Sequence, residues 1–211
     1  EDVIQTDEDK REEDDKDEYE DVLVFAEQLE GEIHPVTYEL MGKGRELADK
    51  INQELHVVLL GHNLTDQTDE ILARGADKVY VYDQEPLHHF DVEAYATAIE
   101  DCVKRISPTI ILIGATSIGR SLAPRIATRF RTGLTADCTI LDVRENTDLV
   151  QTRPAFGGNI MARILTTRHR PQMATMRYKV MEPAQKVKNP TGEVVEFSVP
   201  EEKLDTRAKF I

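Results

Sequence analysis

The chain has 211 residues with 40 acidic and 26 basic side chains, 40% hydrophobic residues and two cysteines, which allows one globular domain and a tail. Its net charge of −14 argues against binding to nucleic acid, and no apolar run approaches the roughly 20 residues of a membrane-spanning helix. Because Cys102 and Cys138 lie far apart and the start is acidic, unlike a secretory signal, we expect a cytoplasmic protein with neither a structural disulfide nor a metal site.

The first 21 residues are dominated by acidic side chains. They hold 13 of the 40 carboxylates against only Lys10, Arg11 and Lys16, and therefore carry −10 of the net charge. Such a segment cannot bury enough apolar surface to offset the entropy lost on ordering. We predict a disordered acidic leader or linker over residues 1–21. Because the chain starts at Glu1 and not at Met, we expect a neighbouring segment before it.

From residue 22 onward, short apolar runs alternate with segments of helical spacing. Continuous β-branched runs are typical of strands that are buried on both faces. We predict strands at 22–26, 56–60, 78–82, 109–113 and 138–143, and helices at 44–52, 65–74, 91–106 and 119–131. Asp91 can cap the third helix. The alternation predicts an α/β fold, a Rossmann-like open parallel sheet with helices on both faces.

The pattern changes after Asp142. Short strands are predicted at 149–150, 159–165, 172–176 and 194–199, with prolines and glycines between them. We assign residues 22–205 to one domain with short C-terminal strands. The last residues, 206–211, read as the start of another domain, whose first strand would begin at Arg207.

The turn between the strand at 109–113 and the next helix is the first candidate site. It reads GATSIGR over residues 114–120 and includes Thr116 and Ser117. In an open α/β sheet, ligands bind at the carboxyl ends of strands, and a helix start offers free N–H groups to an anion. The turn matches neither the Walker nor the full dinucleotide spacing. A tight turn capped by Ser117, with no ligand, explains it equally well.

The second candidate is an excess of arginine. Residues 120–177 carry a charge of +6 and contain no lysine, although they hold ten of the 15 arginines: Arg120, Arg125, Arg129, Arg131, Arg144, Arg153, Arg163, Arg168, Arg170 and Arg177. Arginine without lysine indicates sites that need a planar fork for carboxylate, phosphate or a ring. Structural ion pairs at a subunit interface would give the same pattern.

The third candidate is the RPAFGGN segment at residues 153–159. Proline pushes Arg153 into an extended conformation, and Gly157 and Gly158 permit a turn. The segment therefore presents a guanidinium beside Phe156, although a plain structural hairpin has the same signature. His88 and His89 lack a spaced carboxylate or a further histidine, and no hydrolase triad is recognisable, so we predict neither a metal ligand nor a catalytic residue.

Five motifs together resemble the electron transfer flavoprotein alpha subunit. In the order of that family they read VLVFAE (22–27), GATSIGRSLAPR (114–125), TGLTADC (132–138), RPAFGGN (153–159) and RPQMATMR (170–177). The resemblance covers residues 22–205 as the first domain of the family. It implies a heterodimer with a homologous beta subunit, and FAD bound mainly by that partner and by a second alpha domain that lies beyond Ile211.

The resemblance also implies the role of individual residues. In members of the family that split electron pairs, the arginine that matches Arg153 lies against the flavin ring of the beta subunit, near N5. A unit charge about 4 Å away is worth on the order of 4 kcal/mol at an effective dielectric constant of 20. We therefore predict that cofactor contacts are made by Arg153, Phe156, Gly157, Asn159, Thr116 and Ser117.

The implied function is electron transfer within an oxidoreductase complex, without stand-alone catalysis. Electrons would pass between NADH or an acyl-CoA dehydrogenase-type partner and another acceptor such as ferredoxin, and the resemblance leaves both electron bifurcation and simple transfer open. The acidic leader could link to an N-terminal iron–sulfur domain, or simply be a solubilising tail. Two alternatives stay open: an adenine-nucleotide-binding module that uses the turn at 114–120, and an interface scaffold whose partners hold all the redox chemistry.

Overall fold

The computed structural model describes residues 14–29 and 31–205. In chain order, the strands are β1 (Glu20–Ala26), β2 (Gln28–Leu29), β3 (Glu32–Ile33), β4 (Leu55–Gly61), β5 (Lys78–Asp83), β6 (Pro108–Gly114), β7 (Leu134–Cys138), β8 (Ile140–Val143), β9 (Leu149–Ala155), β10 (Ile160–Leu165), β11 (Gln172–Met176) and β12 (Glu193–Glu196). Seven of them form a main sheet in the order β12-β5-β4-β1-β6-β11-β7, and every neighbouring pair in it is parallel. The predicted open parallel sheet is confirmed.

Helices cover both faces of the main sheet. They are α1 (Val36–Ile51), α2 (Thr65–Leu72), α3 (Val92–Ile106), α4 (Ser117–Phe130) and α5 (Glu201–Leu204). One core contains Leu47 of α1 and Ile71 of α2, and the other contains Ile99 of α3, Ile126 of α4 and Leu204 of α5. Since each central strand is buried on both sides, its sequence is a continuous apolar run and not an alternating one.

Six predicted strands and three predicted helices agree with the structure to within about two residues at each end. Asp91 caps α3 as predicted, because its side chain accepts from the N–H groups of Glu93 and Ala94. The helix predicted at 44–52 actually begins eight residues earlier, at Val36. Gly42 and Gly44 hide the helical pattern there, and a Cβ on Gly44 would lie 2.8 Å from the Leu55 side chain.

The prediction of one strand over residues 138–143 is wrong. The run divides at Thr139: β7 ends at Cys138 inside the main sheet, and β8 begins at Ile140 in a second sheet. Asp137 has a φ of 61°, in the left-handed region, and this reverses the course of the chain between the two sheets. Apolar content alone does not reveal such a corner.

The second sheet is antiparallel and has the order β10-β9-β8. Its inner face carries Leu141, Val143 and Leu149, which belong to the same core as α1. The β9–β10 hairpin pairs Ala155 with Ile160 next to its turn. Of the short C-terminal strands that the sequence predicts, those at 149–150 and 159–165 belong to this second sheet, whereas those at 172–176 and 194–199 join the main sheet as β11 and β12.

The predicted disordered leader is wrong for residues 14–21. Arg170 donates its backbone N–H to Asp14 at 2.8 Å, Lys16 binds Asp148 at 2.8 Å, and β1 already begins at Glu20. Polar contacts with the loop before β11 therefore order a segment that has little apolar surface. Residues 1–13, and the predicted start of a further domain at 206–211, lie outside the described residues.

A long connection between β11 and β12 is fixed by a buried glutamate of α1. Glu39 accepts backbone hydrogen bonds from Lys179, Val180 and Met181 at 3.1–3.2 Å. Three donors on one carboxylate make a strong anchor. Within residues 14–29 and 31–205, no helix has the length and apolar character needed to cross a membrane.

Candidate functional site

The carboxyl ends of four neighbouring strands meet at one edge of the main sheet. β1 ends at Ala26, β6 at Gly114, β11 at Met176 and β7 at Cys138. From β1 the chain crosses by α1 to β4, whereas from β5 it crosses by α3 to β6 on the other side of β1. The gap between β1 and β6 is thus the topological switch point, where ligands bind in open α/β sheets.

A hydrogen bond spans this switch point. The Thr116 hydroxyl donates to Oε2 of Glu27 at 2.5 Å, and the same oxygen of Thr116 accepts the N–H of Gly119 at 3.0 Å. Thr116 is therefore the cap of α4, and the interpretation of Ser117 as the cap is wrong, since Ser117 is exposed outside the cap position. Burial raises the pKa of Glu27, and the Thr116 hydrogen bond opposes this rise in part.

The glycines of this turn serve close packing within the chain. A Cβ on Gly119 would overlap the carbonyl oxygen of Gly114, and a Cβ on Gly114 would lie 2.8 Å from the Val36 side chain. Helix α4 and the end of β6 thus occupy the space that the glycines leave open. The small residues of the motif are explained by packing without a ligand.

The Glu27–Thr116 pair predicts an unusual pH dependence. The pKa of Glu27 is raised in the folded state, so the protonated carboxyl group stabilises the fold. This contribution to the free energy of unfolding is fully present below the unfolded pKa, near 4.3, and is lost as pH rises through the folded pKa. We expect Glu27→Gln to stabilise the protein increasingly above pH 4, as measured by urea unfolding across pH 4–8. Glu39→Gln is the matched control and should be destabilising at pH 7, because its three N–H donors lose a carboxylate. A stability gain for Glu27→Gln that did not change with pH would contradict the explanation.

Three arginines surround Asp137 at the β7 end of the same edge. Arg177 binds both carboxylate oxygens of Asp137, at 3.2 and 2.6 Å, and Arg120 lies 3.8 Å from the first of them. The hydrogen bond from Arg177 lowers the pKa of Asp137, and the charges of Arg177, Arg120 and Arg153 lower it further. The three arginine-containing motifs therefore meet at one place.

Arg153 lies on β9 opposite Ala162 of β10 and is half-buried. Burial raises the pKa of the Cys138 thiol to about 12, and the charge of Arg153 opposes this rise, so the guanidinium faces the end of β7. Among the described residues, no hydrogen bond or ion pair joins Arg153 to another side chain. The charge of Arg153 acts on Asp137 without a hydrogen bond or a close ion pair between the two side chains.

The tip of the β9–β10 hairpin projects into solvent. Phe156 is 82% exposed, and Asn159 is exposed as well. Gly157 and Gly158 have φ values of 70° and 93°, which glycine adopts without strain, and a Cβ on either would meet no atom within 4 Å. The predicted hairpin is confirmed, and its aromatic tip is free to contact another molecule.

The outer face of the second sheet carries several exposed apolar side chains beside the exposed Arg163. Large hydrophobic side chains are exposed at Ile140, Met161 and Leu165, and Ile160 is exposed beside the hairpin tip. By the strand register, Ile140 and Met161 share the outer face, whereas Leu141 is turned toward the core. Clustered apolar side chains on a surface are typical of an interface with another protein.

A family comparison agrees with these features. The family model described as "Electron transfer flavoprotein domain" matches residues 22–202. The chain belongs to the electron transfer flavoprotein family. Its resemblance to that family, inferred from five short motifs, is thereby confirmed.

Relatives within the electron transfer flavoprotein family are similar over most of the chain. "Lactate dehydrogenase (NAD(+),ferredoxin) subunit LctC" of Acetobacterium woodii is 52% identical over 202 residues, covering 96% of this chain and 48% of the relative. "Electron transfer flavoprotein subunit alpha" of Clostridium acetobutylicum is 55% identical over 168 residues, covering 79% and 50%. "Acryloyl-CoA reductase electron transfer subunit beta" of Anaerotignum propionicum is 42% identical over 190 residues, covering 79% and 52%. The chain therefore spans about half the length of these relatives.

The predicted residues divide between two places in this flavoprotein domain. Thr116 and Ser117 lie at the switch point, whereas Arg153, Phe156, Gly157 and Asn159 lie on the hairpin. Sequence reasoning missed Glu27 and Asp137. Both are carboxylates at the end of a buried strand, and that position was the signal available for Glu27, which directly follows the apolar run at 22–26.

The arginines of the arginine-rich stretch differ in the partners that they find within the chain. Arg125 and Arg129 form surface ion pairs with Glu93, and Arg170 is fully buried against Asp148. Arg153 has no such partner among the described residues. Composition alone cannot separate these cases, because they differ only in which carboxylate the fold brings near.

A cluster of two carboxylates and one histidine lies at the opposite edge of the main sheet, where its strands begin. Asp21, Glu54 and His56 offer ligand atoms within 4.8 Å of one another. The two ring nitrogens of His56 face different carboxylates, at 3.5 Å for Asp21 and 2.9 Å for Glu54, and Lys78 also binds Glu54 at 2.8 Å. These polar contacts tie together the starts of β1, β4 and β5.

Proposed function

We propose that this chain is the first part of an electron transfer flavoprotein alpha subunit, which pairs with a beta-type subunit and presents Arg153 to a flavin that the partner holds. The observation that carries the proposal is the position of Arg153. It is half-buried at the carboxyl edge, beside an exposed hairpin tip, and has no carboxylate partner among the described residues. A guanidinium in that state suits an electron-rich ring from another chain.

The residues of the hairpin fit a flavin that is held mainly by another protein. The open space at Gly157 and Gly158 leaves room for a ring or a partner surface, and exposed Phe156 offers an apolar contact. Bound FAD would supply the exchange of one or two electrons. Arg153 would hold a positive charge beside the ring and thereby favour its more negative states.

The outer face of the second sheet supports pairing with a beta-type subunit. It adjoins the hairpin, so that one partner could cover Ile140 and Met161 and also bring a cofactor to Arg153. The centres of interfaces are richer in apolar and aromatic side chains than the rest of a protein surface. We infer that this apolar face is the contact surface.

Relatives suggest the complexes in which such a subunit works. One is named as part of an NAD(+)- and ferredoxin-linked lactate dehydrogenase, and another as an electron transfer subunit of acryloyl-CoA reductase. We infer that electrons pass between NADH or an acyl-CoA dehydrogenase-type partner and a second acceptor such as ferredoxin, with flavin-based electron bifurcation. FAD in a second alpha domain and iron–sulfur clusters ahead of the chain stay predictions.

The adenine-nucleotide-binding alternative is less well supported. It requires the turn at 114–120 to hold phosphate, but Gly114 and Gly119 are explained by packing against the chain itself. The N–H of Gly119 is also already bound by Thr116. Free donors at the helix start are what a phosphate site needs.

The proposal is tested with Arg153→Ala in the full-length subunit, co-expressed with the beta-type subunit encoded beside it. We expect the midpoint potential of the partner's flavin to fall, or its FAD occupancy to drop, because a positive charge beside the ring is lost. The amount of FAD per heterodimer gives the occupancy, and a reductive titration with NADH gives the midpoint potential. Arg144→Ala is the control, since this exposed arginine lies in the turn before β9, at the other end of that strand from the hairpin tip.

The outcomes separate the alternatives. Two FAD per heterodimer, one reduced directly by NADH and sensitive to Arg153→Ala, would support bifurcation, and one FAD with AMP would indicate a simple carrier instead. Unchanged potential and occupancy in Arg153→Ala would remove Arg153 from the flavin site. A preparation with no flavin but tight ATP or AMP binding would overturn the proposal in favour of the nucleotide-binding module.

A further inference from the structure

The carboxylate of Asp137 lies among the three arginines. The other contacts of Asp137 do not require a carboxylate there. Its carboxylate receives two hydrogen bonds from Arg177 and lies 3.8 Å from Arg120. Its own N–H donates to Oγ1 of Thr175 at 2.9 Å, which already fixes the backbone of the corner. The carboxylate is therefore not needed to form the turn, and it acts on its neighbours through charge.

The backbone at this corner joins Arg177 to the strand that carries Arg153. The N–H of Arg177 donates to the carbonyl of Cys138 at 2.9 Å, and the N–H of Thr139 donates to the carbonyl of Thr152 at 2.9 Å. The residues next to Asp137 thus hold β11 on one side and β9 on the other. Asp137 is the acidic group that shares this corner with the three guanidinium groups.

The three arginines are not equivalent. Arg120 and Arg177 have exposed side chains, and both are within ion-pair distance of Asp137. Arg153 is half-buried and acts on Asp137 only through its charge. One carboxylate against three guanidinium groups leaves a net positive corner, whose strength depends on whether Asp137 is ionised and held in place.

We propose that Asp137 is a positioning residue that limits the positive charge presented to the partner's flavin, by binding Arg177 and Arg120 and leaving Arg153 to face the ring. This inference rests on the proposed function of Arg153. Asp137 would contact no cofactor itself. It would set how strongly the corner attracts negative charge and, through that, the potential at which the flavin takes up electrons.

The test is Asp137→Asn in the full-length heterodimer. Asparagine tolerates the left-handed backbone of this position, so that the variant keeps the corner and removes only the charge. We expect an upward shift of the midpoint potential of the flavin next to Arg153, because one negative charge is lost. Asp101→Asn is the matched control: it also removes a carboxylate that one arginine binds at both oxygens, Arg105 at 2.8 and 3.3 Å, but on α3, which packs on the other face of the main sheet from the second sheet.

A separate variant, Asp137→Glu, keeps the charge, and the midpoint potential of its flavin should therefore be closer to the wild-type value than that of Asp137→Asn. The inference is overturned if Asp137→Asn leaves the potential unchanged while Arg153→Ala shifts it, or if Asp137→Asn and Asp101→Asn shift it equally. If Arg153→Ala itself changes neither potential nor FAD content, the proposed function fails, and this inference fails with it. Potential and FAD content are read on the same samples, which separates a change in charge from a loss of binding.

Discussion

Replacing Arg170 by methionine is expected to lower the free energy of unfolding by about 3 kcal/mol. Arg170 is 1% exposed, and its guanidinium donates to Asp148 at 3.1 Å and to Thr147 at 3.3 Å. Removing one member of a buried ion pair leaves the other charge without compensation. Because Lys16 continues to bind Asp148 at 2.8 Å, we place the loss at the lower end of the usual range.

The same pair predicts how stability changes with pH. Burial alone would raise the pKa of Asp148, but hydrogen bonds from Lys16 and Arg170 outweigh it and lower the pKa below its usual range. A depressed carboxylate pKa contributes stability above the unfolded value, near 3.9, that is lost as pH falls through the folded value. In Arg170→Met this loss should begin at a higher pH, because one of the two cations is absent.

Urea unfolding at pH 7 and at pH 4 measures both effects. Arg125→Met is the control: its ion pair with Glu93 is exposed on both sides, so that we expect a loss below about 1 kcal/mol. Combining Arg170→Met with Asp148→Leu should recover part of the stability, since no buried charge then lacks a partner. Equal losses for Arg170→Met and Arg125→Met would contradict a buried ion pair at this position.

The main sheet could be predicted because its strands are buried on both faces. A run such as residues 109–113 is continuous and apolar for that reason, and it became the centre of β6. The first helix was predicted only in part, because Gly42 and Gly44 break its periodicity; Gly44 permits α1 to approach the sheet, and Gly42 permits the connection at Glu182 to approach α1. At these positions the helical pattern favours larger residues, whereas close packing requires glycine, and glycine is present.

The sequence predicted the separate motifs of the candidate site, but not how they are arranged in space. Arg120, Arg153 and Arg177 each lie in a segment that the sequence singled out, and Asp137 lies in the TGLTADC motif, but the sequence did not show that these side chains meet. Asp137 directly precedes the run at 138–143 that was predicted as one strand, and its left-handed φ of 61° is not visible in the sequence. A corner that joins two sheets is fixed by long-range contacts, which a single sequence does not reveal.

Introducing a charge on the outer face of the second sheet is expected to weaken pairing with the beta-type subunit by about 100-fold, close to 2.7 kcal/mol. The change is Met161→Glu, at a side chain that is 50% exposed and shares its face with Ile140. Burying a carboxylate against an apolar partner costs desolvation energy, which the exposed Arg163 on the same face offsets only in part. The subunit itself should keep its stability within about 0.5 kcal/mol, because surface changes rarely exceed that.

Val194→Glu is the matched control for this prediction. Val194 is similarly exposed, at 46%, but lies on β12, at the edge of the main sheet farthest from β7. Sedimentation of each full-length variant with the beta-type subunit, over a range of concentrations, gives the dissociation constant. A loss of pairing in Met161→Glu alone would place the partner on the outer face, next to the hairpin that carries Arg153, so that one surface would hold the partner and the flavin contact together. Equal affinity in both variants would move the interface elsewhere and remove the reason to expect Arg153 near the partner's cofactor.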